Sequence, residues 1–180
     1  DRANVINKVL KDRLNNLLPI LMDQSGIDMW VLISREYNED PVLKTMLPAE
    51  WLNARRRTII VFYRDKKNNT IDKLAVARYN FGDNIISAWD KEKQPEQWQR
   101  LVELIKEREP NQIGLNFSKY FNISDGLDKT DFDEFMDFLP IDYKNKIVSA
   151  ETLSNLWIET RTEYEMKLYE NIIEINHNII

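Results

Sequence analysis

One stretch near the amino end, DMWVLIS at positions 28–34, constrains the fold more than any other. Met29 to Ile33 is an unbroken apolar run, and it is too short for another helix. A run of this length is typical of a β-strand that is covered on both faces. Such a strand requires other layers of structure above and below its sheet. The first prediction is therefore an α/β fold built around this strand.

Helical spacing precedes the strand. Apolar side chains recur every three or four residues from Val5 to Met22, which predicts a helix with one buried stripe. Pro19 lies inside the pattern and has no backbone N–H, so we expect a kink near Asn15–Pro19. Gly26 is the predicted end of the helix, because glycine adopts the left-handed conformation at low cost.

The clearest β-structure in the sequence is a hairpin. Residues Thr58–Tyr63 and Lys73–Tyr79 are rich in β-branched and aromatic side chains, and Lys66–Asn69 has the composition of a turn. We expect Ile85–Trp89 to follow as a third antiparallel strand.

The second half of the chain alternates helices and strands. Pro95 is expected to open one helix, and Thr130 is expected to cap another that stops at Pro140. Short strands are predicted within 112–117 and 146–150. The element order predicts an α/β domain with a mixed β-sheet of about six strands and helices packed on it.

The last helix has a strong start signal and no stop signal. Thr162 and Glu165 have the spacing of a capping box. Its apolar row continues to Ile180 without Gly, Pro or a basic final turn. We therefore expect residues 1–160 to form one domain and 161–180 to begin a helix that leads into a further domain. The alternative is an ordinary terminal helix that docks on the core.

Composition limits the partners. The net charge is −5, which argues against a nucleic-acid partner. No stretch is apolar for long enough to predict a membrane-spanning helix. The absence of cysteine fits a reducing cytoplasm, but it leaves a periplasmic location open.

Three stretches carry a family resemblance when they are taken together in order and spacing. They are RLNNLLPILMDQSGIDMWVLISREYNEDP at 13–41, ARRRTIIVFYRD at 54–65 and SAETLSNLWIETRTEYEMKLYENIIEINHNII at 149–180. The chain resembles the N-terminal domain of the creatinase, prolidase and Xaa-Pro aminopeptidase family of pita-bread metallopeptidases. The resemblance covers nearly the whole chain.

The resemblance implies a ribonuclease-H-like fold and a separate C-terminal catalytic domain. In that family the catalytic domain holds a pair of divalent metal ions (Mn, Zn or Co) through two Asp, one His and two Glu. The implied partners are the chain's own C-terminal domain, a second copy in a homodimer, and a peptide substrate.

The residues of this chain do not predict a catalytic or metal site of their own. The single histidine, His177, is interpreted as a helix-face residue. The Arg55–Arg57 triplet is interpreted as surface charge, with phosphate binding as the alternative. An acidic run lacks the pattern of a calcium loop and is interpreted as a capped, solvated helix start; it comprises Asp125, Asp128, Asp131, Asp133, Glu134 and Asp137.

The loop after the first strand is the best candidate for ligand contact, because loops at strand ends commonly carry function. Its polar residues are Arg35, Tyr37, Asn38, Glu39 and Asp40. Arg35 could bind a peptide carboxylate with two hydrogen bonds, and Tyr37 could pack on a substrate side chain. A loop held together by its own salt bridges is the alternative.

Two functional hypotheses follow. The first is a non-catalytic N-terminal domain of an Xaa-Pro aminopeptidase-like metallopeptidase, which contributes to dimerisation and to the access and selection of short proline-containing peptides. The second is a protein- or peptide-binding module of a catalytically inactive homologue. Metal ligands in a downstream domain would distinguish them.

Overall fold

The middle layer of the fold is a six-stranded mixed sheet. The computed structural model describes residues 2–179, and all structural statements below concern those residues. The strands are β1 (Met29–Arg35), β2 (Arg57–Asp65), β3 (Thr70–Val76), β4 (Ile86–Ser87), β5 (Ile113–Leu115) and β6 (Ile147–Ser149). Their order in the sheet is β4-β3-β2-β1-β5-β6. β2 is antiparallel to both β1 and β3, and the other neighbouring pairs are parallel.

Helices cover both faces of the sheet. They are α1 (Arg2–Asp12), α2 (Leu18–Ser25), α3 (Pro41–Lys44), α4 (Gln97–Arg108), α5 (Lys129–Phe138), α6 (Ile141–Lys144), α7 (Glu151–Glu159) and α8 (Glu163–Ile179). A π-helical turn at Arg13–Leu17 joins α1 to α2, and Asn122–Ser124 forms a 3₁₀ turn. The predicted α/β class and the mixed sheet of about six strands are confirmed.

β1 is covered on both faces, as its apolar run predicts. Trp30 and Leu32 point into a core with α1, α2, α3 and α7. Met29, Val31 and Ile33 point into a second core with α4 and α5. All five side chains are at most 2% exposed, and full burial of such a side chain stabilises the fold by about 1.5–3 kcal/mol.

The first helix is interrupted where Pro19 predicts it. Pro19 cannot donate a backbone hydrogen bond to the preceding turn, and the chain forms the π-helical turn Arg13–Leu17 just before it. Pro19 then lies in the first turn of α2, where a missing N–H costs little. Gly26 ends α2 with φ 71°, as expected.

Two of the strand predictions differ from the structure. β3 runs from Thr70 to Val76, earlier than predicted, because the tight turn pairs Thr70 with Asp65. β4 is only two residues long and runs parallel to β3, not antiparallel. The backbones of Phe81 and Ile85 pair across a tight turn that contains Gly82 at φ 56°, and this extra reversal sets the direction of β4.

Two helix predictions also need correction. Asp128, and not Thr130, caps α5: its side chain accepts a hydrogen bond from the Asp131 N–H at 2.9 Å. The separate helix α7 was not predicted. It buries Leu153 and Trp157 in the core, and extended backbone at Thr160 ends it before α8 begins.

Two loop segments lie close together at one end of the strands, called this edge of the sheet below. β1 and β5 are parallel, so both end at this edge, and antiparallel β2 begins there at Arg57. The loop after β1 and the segment leading to α5 therefore meet at this edge.

Candidate functional site

A tight turn carries the loop after β1. Arg35 N–H donates to the Asn38 carbonyl at 3.4 Å, and Asn38 N–H donates to the Arg35 carbonyl at 3.1 Å. Glu36 and Tyr37 therefore form a two-residue tip. Tyr37 has a φ of 69°, which is uncommon for a residue with a side chain, and it is 93% exposed. The turn holds its backbone and presents its ring to solvent.

Asp40 lies in the interior and is fully buried. Its carboxylate accepts hydrogen bonds from the Leu43 N–H at 2.7 Å and from Asn116 Nδ2 at 2.8 Å. Its own N–H donates to Ser34 Oγ at 3.0 Å. Burial raises the pKa of Asp40 despite these bonds. Asp40 thus supports the loop from inside, and this position differs from the ligand contact that the sequence suggests.

Asn116 connects Asp40 to the core. Its Oδ1 accepts hydrogen bonds from Trp30 Nε1 at 2.8 Å and from Ser154 Oγ at 3.1 Å. The network joins β1, the end of β5 and α7. Gly126 approaches it closely, since a Cβ there would lie 2.3 Å from Asp40 Oδ2. The loop is therefore packed tightly against its neighbours.

Arg35 and Arg57 face each other across β1 and β2 and share the carboxylate of Asp131. The distances to Asp131 Oδ1 are 3.1 Å from Arg35 Nη2 and 2.9 Å from Arg57 Nε. Arg57 Nη2 also contacts Glu134 Oε2 at 2.6 Å, and its guanidinium lies 4.3 Å from the Trp98 ring centroid. Arg35 is therefore anchored to α5 and not within its own loop.

The interpretation of the acidic run as a solvated helix start is wrong for Asp131, which is fully buried. Burial raises the pKa of Asp131, although Arg57 and Arg35 oppose the rise. The neighbouring Glu134 behaves differently: its pKa is lowered, mainly because its carboxylate accepts a hydrogen bond from Trp98 Nε1 at 3.0 Å. Asp131 Oδ2 has no hydrogen-bond partner among the described residues. Asp131 and Glu134 therefore have a structural role, whereas Asp133 and Asp137 of the same run are exposed.

A cleft of about 930 Å³ opens beside this ion-pair cluster. We call it the basic cleft, because arginine and lysine dominate its charged lining. Its lining residues are Glu36, Arg55, Arg56, Arg57, Ala77, Arg78, Tyr79, Trp89, Lys91, Pro95, Glu96 and Gln97. A smaller cavity of about 310 Å³ adjoins it, and Arg35 lines that cavity together with Glu36, Arg56 and Arg57.

The structure therefore joins two features that the sequence presents separately. Arg35 and the Arg55–Arg57 triplet meet at one edge of the sheet. Arg78 and Lys91 were missed, because each is isolated in the sequence and reaches the cleft only through the turns after β3 and β4. Surface charge describes Arg55 and Arg56, which are exposed, but Arg57 is held in the ion-pair cluster.

The start of α8 is fixed to the core. The predicted capping box is confirmed: Thr162 N–H donates to Glu165 Oε2 at 2.9 Å, and Glu165 N–H donates to Thr162 Oγ1 at 3.2 Å. Arg13 Nη1 contacts the same carboxylate at 2.7 Å and the Thr160 carbonyl at 2.8 Å. Arg13 also donates to the Trp157 carbonyl and lies over the Trp157 ring.

Beyond this anchor, α8 leaves the core. None of its residues from 163 to 179 is buried, and its isoleucines are at least half exposed, for example Ile172 at 50% and Ile179 at 76%. His177 lies on this helix and is exposed, as interpreted from the sequence. Among residues 2–179, no three His, Asp or Glu side chains stand together as a group that could hold a metal ion. No helix in that range is long and apolar enough to cross a membrane.

The chain has a structural likeness to a known peptidase but no match among family models. No family model matches the chain, and no curated protein matches it. Among solved structures, the chain is similar to part of an Xaa-Pro dipeptidase from Bacillus anthracis, with a TM-score of 0.48 and 13% sequence identity. The similar region covers 83% of this chain and 36% of that protein. The chain thus spans about a third of the length of that dipeptidase.

Proposed function

We propose that the chain is a non-catalytic N-terminal domain of an Xaa-Pro aminopeptidase-like metallopeptidase. Its role would be to support dimerisation and to control the access and selection of short proline-containing peptides. One observation carries the proposal: the three stretches of the family resemblance pack together. β1 pairs with β2 along seven residues of each strand, and Arg13 of the first stretch binds Thr160 and Glu165 of the third.

Within this proposal, the tip of the loop after β1 contacts the peptide. Tyr37 would pack against a substrate side chain, and Arg35 and Asn38 would contact polar groups of the peptide. The exposed ring of Tyr37 and the two backbone hydrogen bonds beneath it support this role, since a held loop loses less entropy on binding. Asp40 is left out of the proposed contact surface because it is buried.

The proposed partners are a C-terminal catalytic domain of the same protein and a second copy of the chain. The exposed isoleucines of α8 support burial against another protein surface. The pair of divalent metal ions would belong to the catalytic domain. The described residues do not fit such a site, so no chemical step is assigned to them.

The first test compares Tyr37→Ala with Tyr120→Ala in the whole gene product that contains this chain. Tyr120 is the matched control, because it is also exposed, at 73%, and lies on another segment. Hydrolysis of Xaa-Pro peptides in Mn²⁺ should show a KM raised by about three- to tenfold in Tyr37→Ala, with kcat nearly unchanged, since loss of a binding contact weakens ground state and transition state equally. Equal KM values in the two variants would exclude the loop from substrate binding.

A second test addresses the catalytic assignment and the assembly. The gene product should contain the two Asp, one His and two Glu in order after this chain, and sedimentation should give the mass of a dimer. A downstream domain without those residues would rule out the peptidase and favour the binding-module alternative. A monomer at assay concentration would contradict the proposed dimerisation.

A further inference from the structure

The basic cleft gathers positive charge that the rest of the fold does not neutralise. Arg55, Arg56, Arg78 and Lys91 line it, and none of them forms an ion pair with any residue between 2 and 179. Arg57 differs, because Asp131 and Glu134 neutralise it. The chain as a whole carries a net charge of −5, so this concentration of cations is local. Like charges around one cavity repel each other unless an anion lies between them.

Two carboxylates, those of Glu36 and Glu96, line the cleft, but neither lies between its cations as a neutralising anion. Glu36 Oε2 accepts a hydrogen bond from the Arg56 N–H at 3.1 Å. Glu96 Oε1 accepts one from the Trp98 N–H at 3.0 Å and caps α4. Both therefore bind backbone N–H groups, and neither forms an ion pair with a cation of the cleft within the described part of the chain.

Parts of the cleft are held in place. The Arg55 guanidinium lies 5.2 Å from the Trp51 ring centroid, where a cation–π contact orients it. Arg56 has a φ of 53°, an uncommon conformation for a residue with a side chain. Its carbonyl accepts a hydrogen bond from the Glu36 N–H at 2.7 Å. The backbone that carries Arg56 is thus fixed in an unfavourable conformation at the edge of the cleft.

The arrangement suits a compact anion with more than one negative charge. The cations come from three separate chain segments, around residues 55–57, 78 and 91, and they surround one volume. Guanidinium groups match the oxygen geometry of phosphate, and Arg forms paired hydrogen bonds with it. A single carboxylate can occupy only one or two of these donors. The half-buried rings of Tyr79 and Trp89 add apolar surface for an organic group.

We propose that the basic cleft binds the phosphoryl group of a phosphorylated small molecule, with Arg56, Arg78 and Lys91 as its main contacts. Arg55 adds positive charge from its position over Trp51. This function is separate from peptide selection by the loop after β1, and it does not depend on that proposal.

The test titrates pyrophosphate into the 180-residue chain at low ionic strength by calorimetry. We expect one binding site that is saturated at pyrophosphate concentrations below about 1 mM. Added salt should weaken pyrophosphate binding. Arg56→Gln/Arg78→Gln should weaken binding at least about tenfold, because two charge-assisted contacts are lost. Lys67→Gln/Lys106→Gln removes the same charge from exposed positions outside the cleft and should leave the affinity unchanged. Circular dichroism checks that each variant is folded, and Arg78→Gln/Lys91→Gln replaces the first variant if that one is not.

A triglutamate peptide serves as the second ligand, since it offers carboxylates in place of phosphoryl oxygens. Weaker binding of the peptide than of pyrophosphate supports the phosphoryl assignment, and tighter binding of the peptide overturns it. The proposal is also overturned if the wild-type chain does not bind pyrophosphate, or if both double variants bind it as tightly as wild type. All of these outcomes are independent of peptidase activity.

Discussion

At the scale of single residues, two buried carboxylates hold the edge of the sheet together. Asp131 links α5 to Arg35 and Arg57, and Asp40 links the loop after β1 to Asn116. Burial raises the pKa of both, so each charge is costly and depends on its donors. Substitution at either position should therefore have a larger effect than at an exposed acid.

Asp131→Asn should destabilise the fold by about 1–3 kcal/mol, because the amide oxygen can still accept from both guanidinium groups but the negative charge that strengthens these hydrogen bonds is lost. Asp133→Asn is the matched control. Asp133 lies on the same helix, and it pairs with Lys129 at the surface, so its loss should cost no more than about 0.5 kcal/mol. Urea unfolding measures both values. Equal losses would show that the buried ion pairs do not contribute to stability.

Asp40→Asn should change how stability depends on pH. The folded-state pKa of Asp40 lies above its unfolded value, so its stabilising contribution is complete below the unfolded pKa and is lost as the pH rises through the folded pKa. The advantage of wild type over Asp40→Asn should therefore be greatest below about pH 4, the ordinary pKa of Asp, and smaller at neutral pH.

Urea unfolding across that range, with Ser34→Ala as a control, tests this dependence. Ser34 Oγ accepts a hydrogen bond from the Asp40 N–H but does not titrate, so its loss should cost a similar amount at each pH. An advantage over Asp40→Asn that grows with pH would contradict the assignment.

At the scale of helices and strands, the sequence predicts those elements that neighbouring residues determine. The apolar run of β1, the turn between β2 and β3, and the capping box of α8 were all found in the structure. The predicted antiparallel direction of β4 is wrong, because the turn containing Gly82 reverses the chain once more. The sequence predicts Thr130 as the cap of α5 where the structure has Asp128, since both residue types cap helices well.

The sequence likewise predicts some residues of the candidate site and not others. Arg35 and the arginine triplet stand out in the sequence as charges beside strands. Arg78 and Lys91 do not, because long-range folding brings them to the basic cleft. The burial of Asp40 and Asp131 likewise depends on segments far away in the chain: Asn116 lies 76 residues from Asp40, and Arg57 lies 74 residues from Asp131. No local pattern carries that information.

Arg13→Gln should loosen the junction between α7 and α8. The substitution removes the contact with Glu165 and the donors to the Thr160 and Trp157 carbonyls, which should cost about 2–3 kcal/mol because the donor is charged and buried. Amide exchange in the first turns of α8 should become faster, while amides in the sheet stay protected. Lys167→Gln, an exposed change on α8, should alter neither. Unchanged exchange in Arg13→Gln would show that Arg13 does not fix α8.

At the scale of the whole molecule, the sheet separates two cores and α8 belongs to neither. One core lies under α1, α2 and α7, and the other lies under α4 and α5. Stability should therefore reside in residues up to the end of α7. The apolar surface of α8 is then available for contact with another protein surface.

Truncation tests this division. A chain of residues 1–162 keeps Trp157 and the carbonyls that Arg13 binds, so its unfolding free energy should fall by no more than about 2 kcal/mol. A chain of residues 1–150 also loses Leu153 and Trp157, both at most 1% exposed. It should not fold, because each loss costs about 3–5 kcal/mol against a total stability of about 5–15 kcal/mol. A stably folded 1–150 chain would contradict the role of α7 in the core.

The turn at Arg35–Asn38 also provides a spectroscopic handle. The chain has no cysteine, so Tyr37→Cys would introduce a single thiol at an open position. A fluorophore attached there would sit on a tip that two backbone hydrogen bonds hold in place. Energy transfer from this dye to a labelled peptide or to a second copy would measure how closely each approaches the loop.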